Sequence, residues 1–286
     1  MTKYMLLDVS HIAFYKMFAL LKWLKLSGKT LTEDEMVDKF HASFIKTVTH
    51  LVKTHRVDWR SVVLAMDAPR VSVWRRDIYP LYKGNRDGQR NEHANVVFAE
   101  LYDRIIPELA LNYPVTVVSV DQAEADDIIA VATLVCKADP DASVIIISGD
   151  SDFAQLMDSR THVANCNNIL LASECDGNLA KKIKIIMGDK SDNIPTIMPR
   201  IGKKRAMALA TNKPMLDNLL DSNPGMRDKM MLNTKLIDFQ CIPDKIVELI
   251  KEGLGRNFAS NSCRQVVPWR AHTYFRNSAP PVRERW

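Results

Sequence analysis

The sequence lacks what a disulfide-stapled or zinc-held protein needs. Its five cysteines, Cys136, Cys166, Cys175, Cys241 and Cys263, are an odd number and form neither a C-x-x-C pair nor any zinc-ligand spacing. Neither a disulfide framework nor a structural zinc site is indicated. Such thiols suit a reducing cytoplasm, the expected location. No stretch approaches the ~20 uninterrupted apolar residues of a membrane span, so no membrane partner is expected. The opening "MTKYMLLDVSHIAFYKMFALLKWLKL" is interrupted by Asp8, His11, Lys16 and Lys22, and no A-x-A-like cleavage site follows, which weighs against a signal peptide. Internal repeats, low-complexity tracts and a persuasive nucleophile dyad are absent as well, so nothing in the chain calls for a covalent enzyme intermediate.

What is present is a folded chain with a basic balance. Its 286 residues are 47% hydrophobic and carry a formal charge of +5, enough for a substantial core and consistent with an acidic partner such as nucleic acid. Short apolar runs recur at "KYMLLD" (3–8), "SVVLAMD" (61–67), "VTVVSV" (115–120) and "SVIIIS" (143–148). Without polar alternation, each reads as a strand buried on both faces. Helical stretches lie between and around them at 33–55, 95–111 and 124–138. Strand and helix alternating in this way predict an α/β domain with a mainly parallel sheet over residues 1–187. From residue 188 the texture turns to short helices and prolines, which predicts a helical subdomain over 188–260. The arginine- and proline-rich tail, 261–286, has no amphipathic period and is expected to be poorly ordered.

Ligands of such sheets bind beyond the carboxyl ends of the strands, and that edge is where the acids fall. Asp8 ends the first run, Asp67 the second, Glu124, Asp126 and Asp127 follow the third, and Asp150 and Asp152 follow the fourth. "IMGDKSDNIP" (186–195) adds Asp189 and Asp192. Each motif alone has a plain reading as a helix cap or turn. Acids at every strand end are poorly explained by capping. Two unit charges about 4 Å apart repel by roughly 4 kcal/mol at an effective dielectric near 20, so the cluster must take up protons or hold hard cations. Mg²⁺ binds through one or two carboxylates plus waters and substrate phosphate oxygens, and paired metals activate water at a phosphodiester.

Basic segments lie beside the acids. "VWRRDIYPLYKGNRDGQR" (73–90) interleaves Arg75, Arg76, Lys83, Arg86 and Arg90 with Trp74, Tyr79 and Tyr82, so cations could meet phosphates while rings stack on unpaired bases. "PRIGKKRAMALA" (199–210) places Gly202 before a helix opening with Lys203, Lys204 and Arg205, a phosphate site in which helix N–H groups and side-chain charge act together.

Taken in order, "DVSHIAFY", "LAMDAP", "RDIYPLYKGNRD", "DQAEADDIIAVA", "ISGDSDFAQL", "IMGDKSDNIP" and "IGKKRAMALA" resemble the flap endonuclease or 5′-3′ exonuclease family, particularly its bacteriophage ribonuclease H-type 5′ nucleases. The resemblance spans roughly residues 3–245. It implies a PIN-like (Rossmann-like) core, an arch or gateway over the active site at about 68–95, and a helix-three-turn-helix element that binds DNA. Asp8, Asp67, Glu124, Asp126 and Asp150 then correspond to ligands of a first metal, and Asp152, Asp189 and Asp192 to a second. Asp127 matches an acidic position whose role stays open between ligand and support. Lys83 and Arg86 would lie over the scissile phosphate, Tyr82 would stack on a base at the junction, and Arg75 would line the gateway.

The implied cofactors are two or more Mg²⁺, with Mn²⁺ able to substitute, and K⁺ at the helical hairpin around Gly202. There Arg200 takes the first position of the family's G-x-G. Arginine enters positive φ less readily than glycine, so an altered turn is expected and the K⁺ site is put in question. The implied activity is Mg²⁺-dependent 5′ nuclease action on DNA flaps, nicked duplexes and RNA-DNA hybrids, including RNA primer removal in replication. A monomer in the cytoplasm, the host's if phage-encoded, is expected, with single-stranded-DNA-binding protein a partner for the tail. Two other readings compete. A catalytically silent nucleic-acid-binding module would tolerate loss of acids, which this sequence does not show. A phosphohydrolase of the haloacid dehalogenase type needs D-x-D after the first strand, where Ser10 stands instead.

Overall fold

The computed structural model describes residues 2–86, 92–171 and 176–255. Arg90 and the whole tail 261–286 lie outside the described residues. Five strands, β1 Lys3–Asp8, β2 Val62–Met66, β3 Thr116–Ser119, β4 Ser143–Ile147 and β5 Thr161–Ala164, form one all-parallel sheet in the order β3-β2-β1-β4-β5. β1 is central, with Met5 opposite Val62 on one side and Ile145 on the other. Its Tyr4 and Leu6 enter the apolar cluster on one face and its Met5 and Leu7 the cluster on the other. Burial on both faces is what an alternation-free strand requires. Strand order reverses between β1 and β4, which puts the crevice of a doubly wound sheet beside Asp8 and Ser148.

Helices α1 (Val9–Ser27), α2 (Glu33–His55), α3 (Trp74–Ile78), α4 (Glu92–Glu100), α5 (Ile106–Asn112) and α6 (Ala125–Lys137) belong to the first two-thirds of the chain. α2 opens with a capping box between Thr32 and Glu35. Between α4 and α5 the helix passes through a π turn, Leu101–Ile105, and Ile106 N donates to Leu101 O. Pro107 has no N–H to continue the ordinary ladder, so the expected single helix over 95–111 carries this bulge.

The remaining helices are α7 (Gly177–Met187), α8 (Lys203–Thr211), α9 (Lys213–Asp221), α10 (Pro224–Ile237) and α11 (Asp244–Leu254). α7, α8 and α9 share one apolar cluster built on Ile183, Ile186, Leu209 and Leu216. α11 turns back to the sheet, where Ile246, Ile250 and Leu254, spaced by one helical turn, join Val118 and the apolar face of α6. A smaller cluster of Val73, Tyr82, Ile185, Ile194 and Leu236 seams the segment after β2 to α7 and α10. Among the described residues, no helix is long and apolar enough to cross a membrane.

Candidate metal centre

The acids arrive on the carboxyl edge of the sheet from separate elements, each fixed by its own backbone chemistry. Asp8 caps α1: its Oδ1 accepts from His11 N at 3.0 Å and its Oδ2 from Ser148 Oγ at 2.9 Å. Asp67 Oδ1 accepts from Ala125 N at 2.7 Å, tying the end of β2 to the start of α6. Glu124 caps α6, and Asp127 closes a capping box back onto Glu124 N at 3.0 Å. Asp150 caps the 3₁₀ turn Ser151–Leu156 that carries Asp152. Asp189 and Asp192 sit in the turn after α7. Gly188 enters that turn at φ 68°, and a Cβ there would lie 2.4 Å from Pro195 O, so only glycine lets the chain present Asp189.

Two groups of three acids result. Glu124, Asp126 and Asp127 can each place an oxygen within 4.8 Å of the others, as can Asp152, Asp189 and Asp192. Asp127 is fully enclosed by donors. Its oxygens accept from Arg75 Nη1 and Nη2 at 2.9 and 2.7 Å, from Trp74 Nε1 at 2.9 Å and from Glu124 N. Glu124 accepts from Arg75 Nη1 at 2.8 Å, Tyr82 OH at 2.9 Å and Lys83 Nζ at 2.6 Å. Burial pushes Glu124 up, but Lys83 and Arg75 outweigh it and bring its carboxyl down to about 2.

At Asp8, Asp67 and Asp126 burial outweighs such compensation. Burial, then repulsion from Asp67, raises Asp8 to about 7. Burial raises Asp67, against hydrogen bonds from Ala125 and Ser10. Asp126 is held well above the carboxylate range by burial, and Asp127 and Glu124 add to the rise against Arg75. Asp126 Oδ1 is buried and accepts no hydrogen bond. Buried acids short of positive charge, with oxygen donors only and an orphaned buried oxygen, fit a hard divalent cation.

The sequence model described as "5′-3′ exonuclease, N-terminal resolvase-like domain" matches residues 3–184. The chain belongs to the 5′-3′ exonuclease family. Within that family, the ribonuclease H of Enterobacteria phage T4 is 30% identical over 223 residues, covering 69% of this chain and 70% of that protein. DNA polymerase I of Streptococcus pneumoniae serotype 4 is 30% identical over 253 residues, covering 82% of this chain but 27% of the polymerase. The chain thus spans about a quarter of the length of that relative. In fold, it resembles a bacteriophage T5 flap endonuclease solved in complex with DNA and metal ions, at TM-score 0.66 and 19% identity over 90% of this chain and 99% of that one.

Against the 5′-3′ exonuclease pattern, some expected roles need correction. Arg75 and Tyr82 are each 2% exposed. Arg75 spends its guanidinium on Asp127, Glu124 and, at 2.9 Å, the Leu236 carbonyl, so it cannot line a gateway toward nucleic acid. Tyr82 packs in the seam between the gateway segment and α10 and donates to Glu124, so its ring has no face to offer a base. Trp74 is buried too, committed to Asp127. Lys83 and Arg86 stay at the mouth of the cleft, 16% and 40% exposed in their side chains, paired with Glu124 and Asp192. Arg200 adopts φ 56°. Arginine there thus adopts the left-handed backbone that glycine enters more readily. Gly202, Lys203, Lys204 and Arg205 are exposed at the start of α8.

Sequence reasoning missed Lys184, which pairs with both Asp152 and Asp189, and Ser148 and His11, which hold the Asp8 and Asp150 turns. His11 Nε2 accepts from Gly149 N at 2.9 Å. A lysine in the last turn of α7, directly ahead of "GDKSDN", was the one available signal.

Proposed function

We propose that this protein is a Mg²⁺-dependent, structure-specific 5′ nuclease that cuts DNA flaps and nicked duplexes near the 5′ end and removes RNA primers paired to DNA, acting as a cytoplasmic monomer. One observation carries the reading: the buried acids Asp8, Asp67 and Asp126, in which burial outweighs nearby positive charge, share an edge with two cations at its mouth, Lys83 and Arg86. The acids call for divalent cations and the cations for a phosphodiester.

In this reading Asp8, Asp67, Glu124, Asp126 and Asp150 hold a first Mg²⁺ and Asp152, Asp189 and Asp192 a second, with Mn²⁺ able to replace either. When bound, such ions supply Lewis acidity and a water of lowered pKa. Asp127 holds no metal; it anchors Arg75 and Trp74, and through them sets the start of α6. Lys83 takes a left-handed backbone, φ 53°, and its N–H donates to Asp192 O at 2.9 Å, which fixes the ammonium group at the mouth. Burial would discharge Lys83, but Glu124 and then Asp192 hold it positive, ready to offset the charge that develops on a scissile phosphate. Gly202, Lys203, Lys204 and Arg205 bind the duplex backbone.

The test is a 5′-labelled flap and an RNA-primed duplex, incubated with Mg²⁺ or EDTA, with Asp126→Asn beside the wild type. Metal-dependent cut products near the junction are expected, falling by about a thousandfold in Asp126→Asn. Intact flap binding with no cleavage by the wild type would replace the nuclease with a silent binding module.

A further inference from the structure

The second acidic group carries a cation of its own. Lys184, its side chain 17% exposed, projects from the last turn of α7 between Asp152 and Asp189, and its ammonium pairs with Asp152 Oδ1 and lies 2.7 Å from Asp189 Oδ2. The other oxygen of Asp189 accepts from Ser191 N at 2.7 Å and Ser191 Oγ at 2.6 Å. Asp192 is met by Arg86 Nη2 at 2.7 Å and by Tyr82 OH at 3.2 Å. Each acid of this group has a close positive partner, whereas Asp126 has Arg75 only at 3.7 Å.

We propose that Lys184 is the resident cation of the second acidic group and sets its affinity for divalent metal. The ammonium lies between two of the three candidate ligands, so a metal ion entering there must displace it or share the acids with it. Lys184 is then a positioning residue. It holds Asp152 and Asp189 together before metal arrives, and makes occupancy of this group depend on how far the lysine is drawn off, as by an incoming phosphate. The inference rests on the metal-centre reading of the two groups.

Titration of Mn²⁺ into wild type, Lys184→Gln and Lys184→Arg, by calorimetry and by electron paramagnetic resonance of free Mn²⁺, tests it. In Lys184→Gln the weaker class of sites should tighten by about tenfold or more, because one repelling charge has left the group. The tighter class should change by less than about twofold, since it lies outside the lysine's contacts. Lys184→Arg should stay near wild type. An unchanged or weakened second class in Lys184→Gln overturns the proposal. Should that variant fail to fold, lysine-¹⁵N resonances of the wild type decide: the Lys184 ammonium signal, assigned through Lys184→Arg, should move with Mg²⁺ occupancy of the weaker class, and a fixed signal at saturation overturns it. Flap cleavage is scored separately. Absent cleavage with the expected Mn²⁺ behaviour defeats the nuclease reading and leaves this one standing.

Discussion

Asp126 and Asp189 are both aspartates at one edge of one sheet, and burial acts on both, yet the outcomes are opposite. Asp126 is driven above the carboxylate range and keeps a buried oxygen without a hydrogen bond. Asp189 is pulled down to about 2. The difference lies in what faces them. The Lys184 ammonium and the Ser191 donors are directed at Asp189, while Arg75, the cation nearest Asp126, stands 3.7 Å away and is engaged by Asp127 and Glu124. Desolvation alone raises both groups; local positive charge decides the sign. An acid cluster is therefore not one site with one demand for cations. Its inner members Asp8, Asp67 and Asp126 are short of positive charge, whereas Glu124 and Asp127, beside Arg75, and the outer members Asp152, Asp189 and Asp192 have it from the protein.

The largest effect that would break this contrast comes from adding metal at different pH. Asp8 titrates at about 7 in the folded chain, against roughly 3.9 for an ordinary aspartate. The native state thus holds a proton there that the unfolded chain gives up. Stability from this group is greatest in acid, falls as pH rises from about 4 to about 7, and stays low above that. A divalent ion among the inner acids relieves that loss. Saturating Mg²⁺, about a hundred times its Kd, should stabilise the fold by about 2.7 kcal/mol at pH 8, and by clearly less at pH 5, where protons compete. Melting curves at the two pH values, with Mg²⁺ or EDTA, read this directly. An equal gain at both would mean the inner acids are not short of charge.

Paired substitutions give the next largest effect, with opposite signs. In EDTA at pH 8, Asp126→Asn removes a buried acid whose ionisation is disfavoured in the fold and should raise stability by about 1–2 kcal/mol. Asp189→Asn strips Lys184 of one partner and should lower it by a similar amount, about 1–2 kcal/mol. Urea unfolding of the two variants beside wild type is the measurement. The same sign for both would abolish the distinction. Asp189 also brings the opposite pH signature, since its folded value lies below the ordinary one. Its stabilisation is present above about 4 and is lost as pH falls toward about 2.

How much of this the sequence could reveal follows from the range of the interactions. The four apolar runs without alternation had to be two-face-buried strands, and parallel sheets place ligands at the carboxyl ends, so the positions of Asp8, Asp67, Asp126 and Asp150 were legible. β5 was not, because "THVA" is four residues long and His162 breaks its apolar run. Nor was the division between inner and outer acids. Arg75 meets Asp127 across 52 positions and Lys83 meets Glu124 across 41, pairings that only the finished sheet creates. An interleaved basic and aromatic segment reads the same whether its rings face a nucleic acid or the interior. Tyr82 and Trp74 turned inward because Glu124 and Asp127 offered buried acceptors for a hydroxyl and an indole N–H. Lys184 lay in plain view, but its role depends on where the turn of Asp152 comes to rest.

The smallest effect sharpens the contrast at a single hydrogen bond. Ser148 is fully buried; its hydroxyl donates to Asp8 Oδ2 at 2.9 Å and its oxygen accepts from Asp150 N at 3.2 Å. Ser148→Ala removes both, at a cost of about 1 kcal/mol. The part owed to Asp150 N does not depend on pH, because an amide stays an amide. The part owed to Asp8 does, because a donor favours the carboxylate over the acid, and that part is felt only where Asp8 is ionised. The deficit of Ser148→Ala in EDTA should therefore be smaller at pH 5 than at pH 8, and Mg²⁺ should narrow the difference by supplying the positive charge the hydroxyl had partly replaced. A deficit that is flat with pH would mean Asp8 is already compensated by something other than Ser148, and it would move Asp8 from the inner to the outer kind of acid.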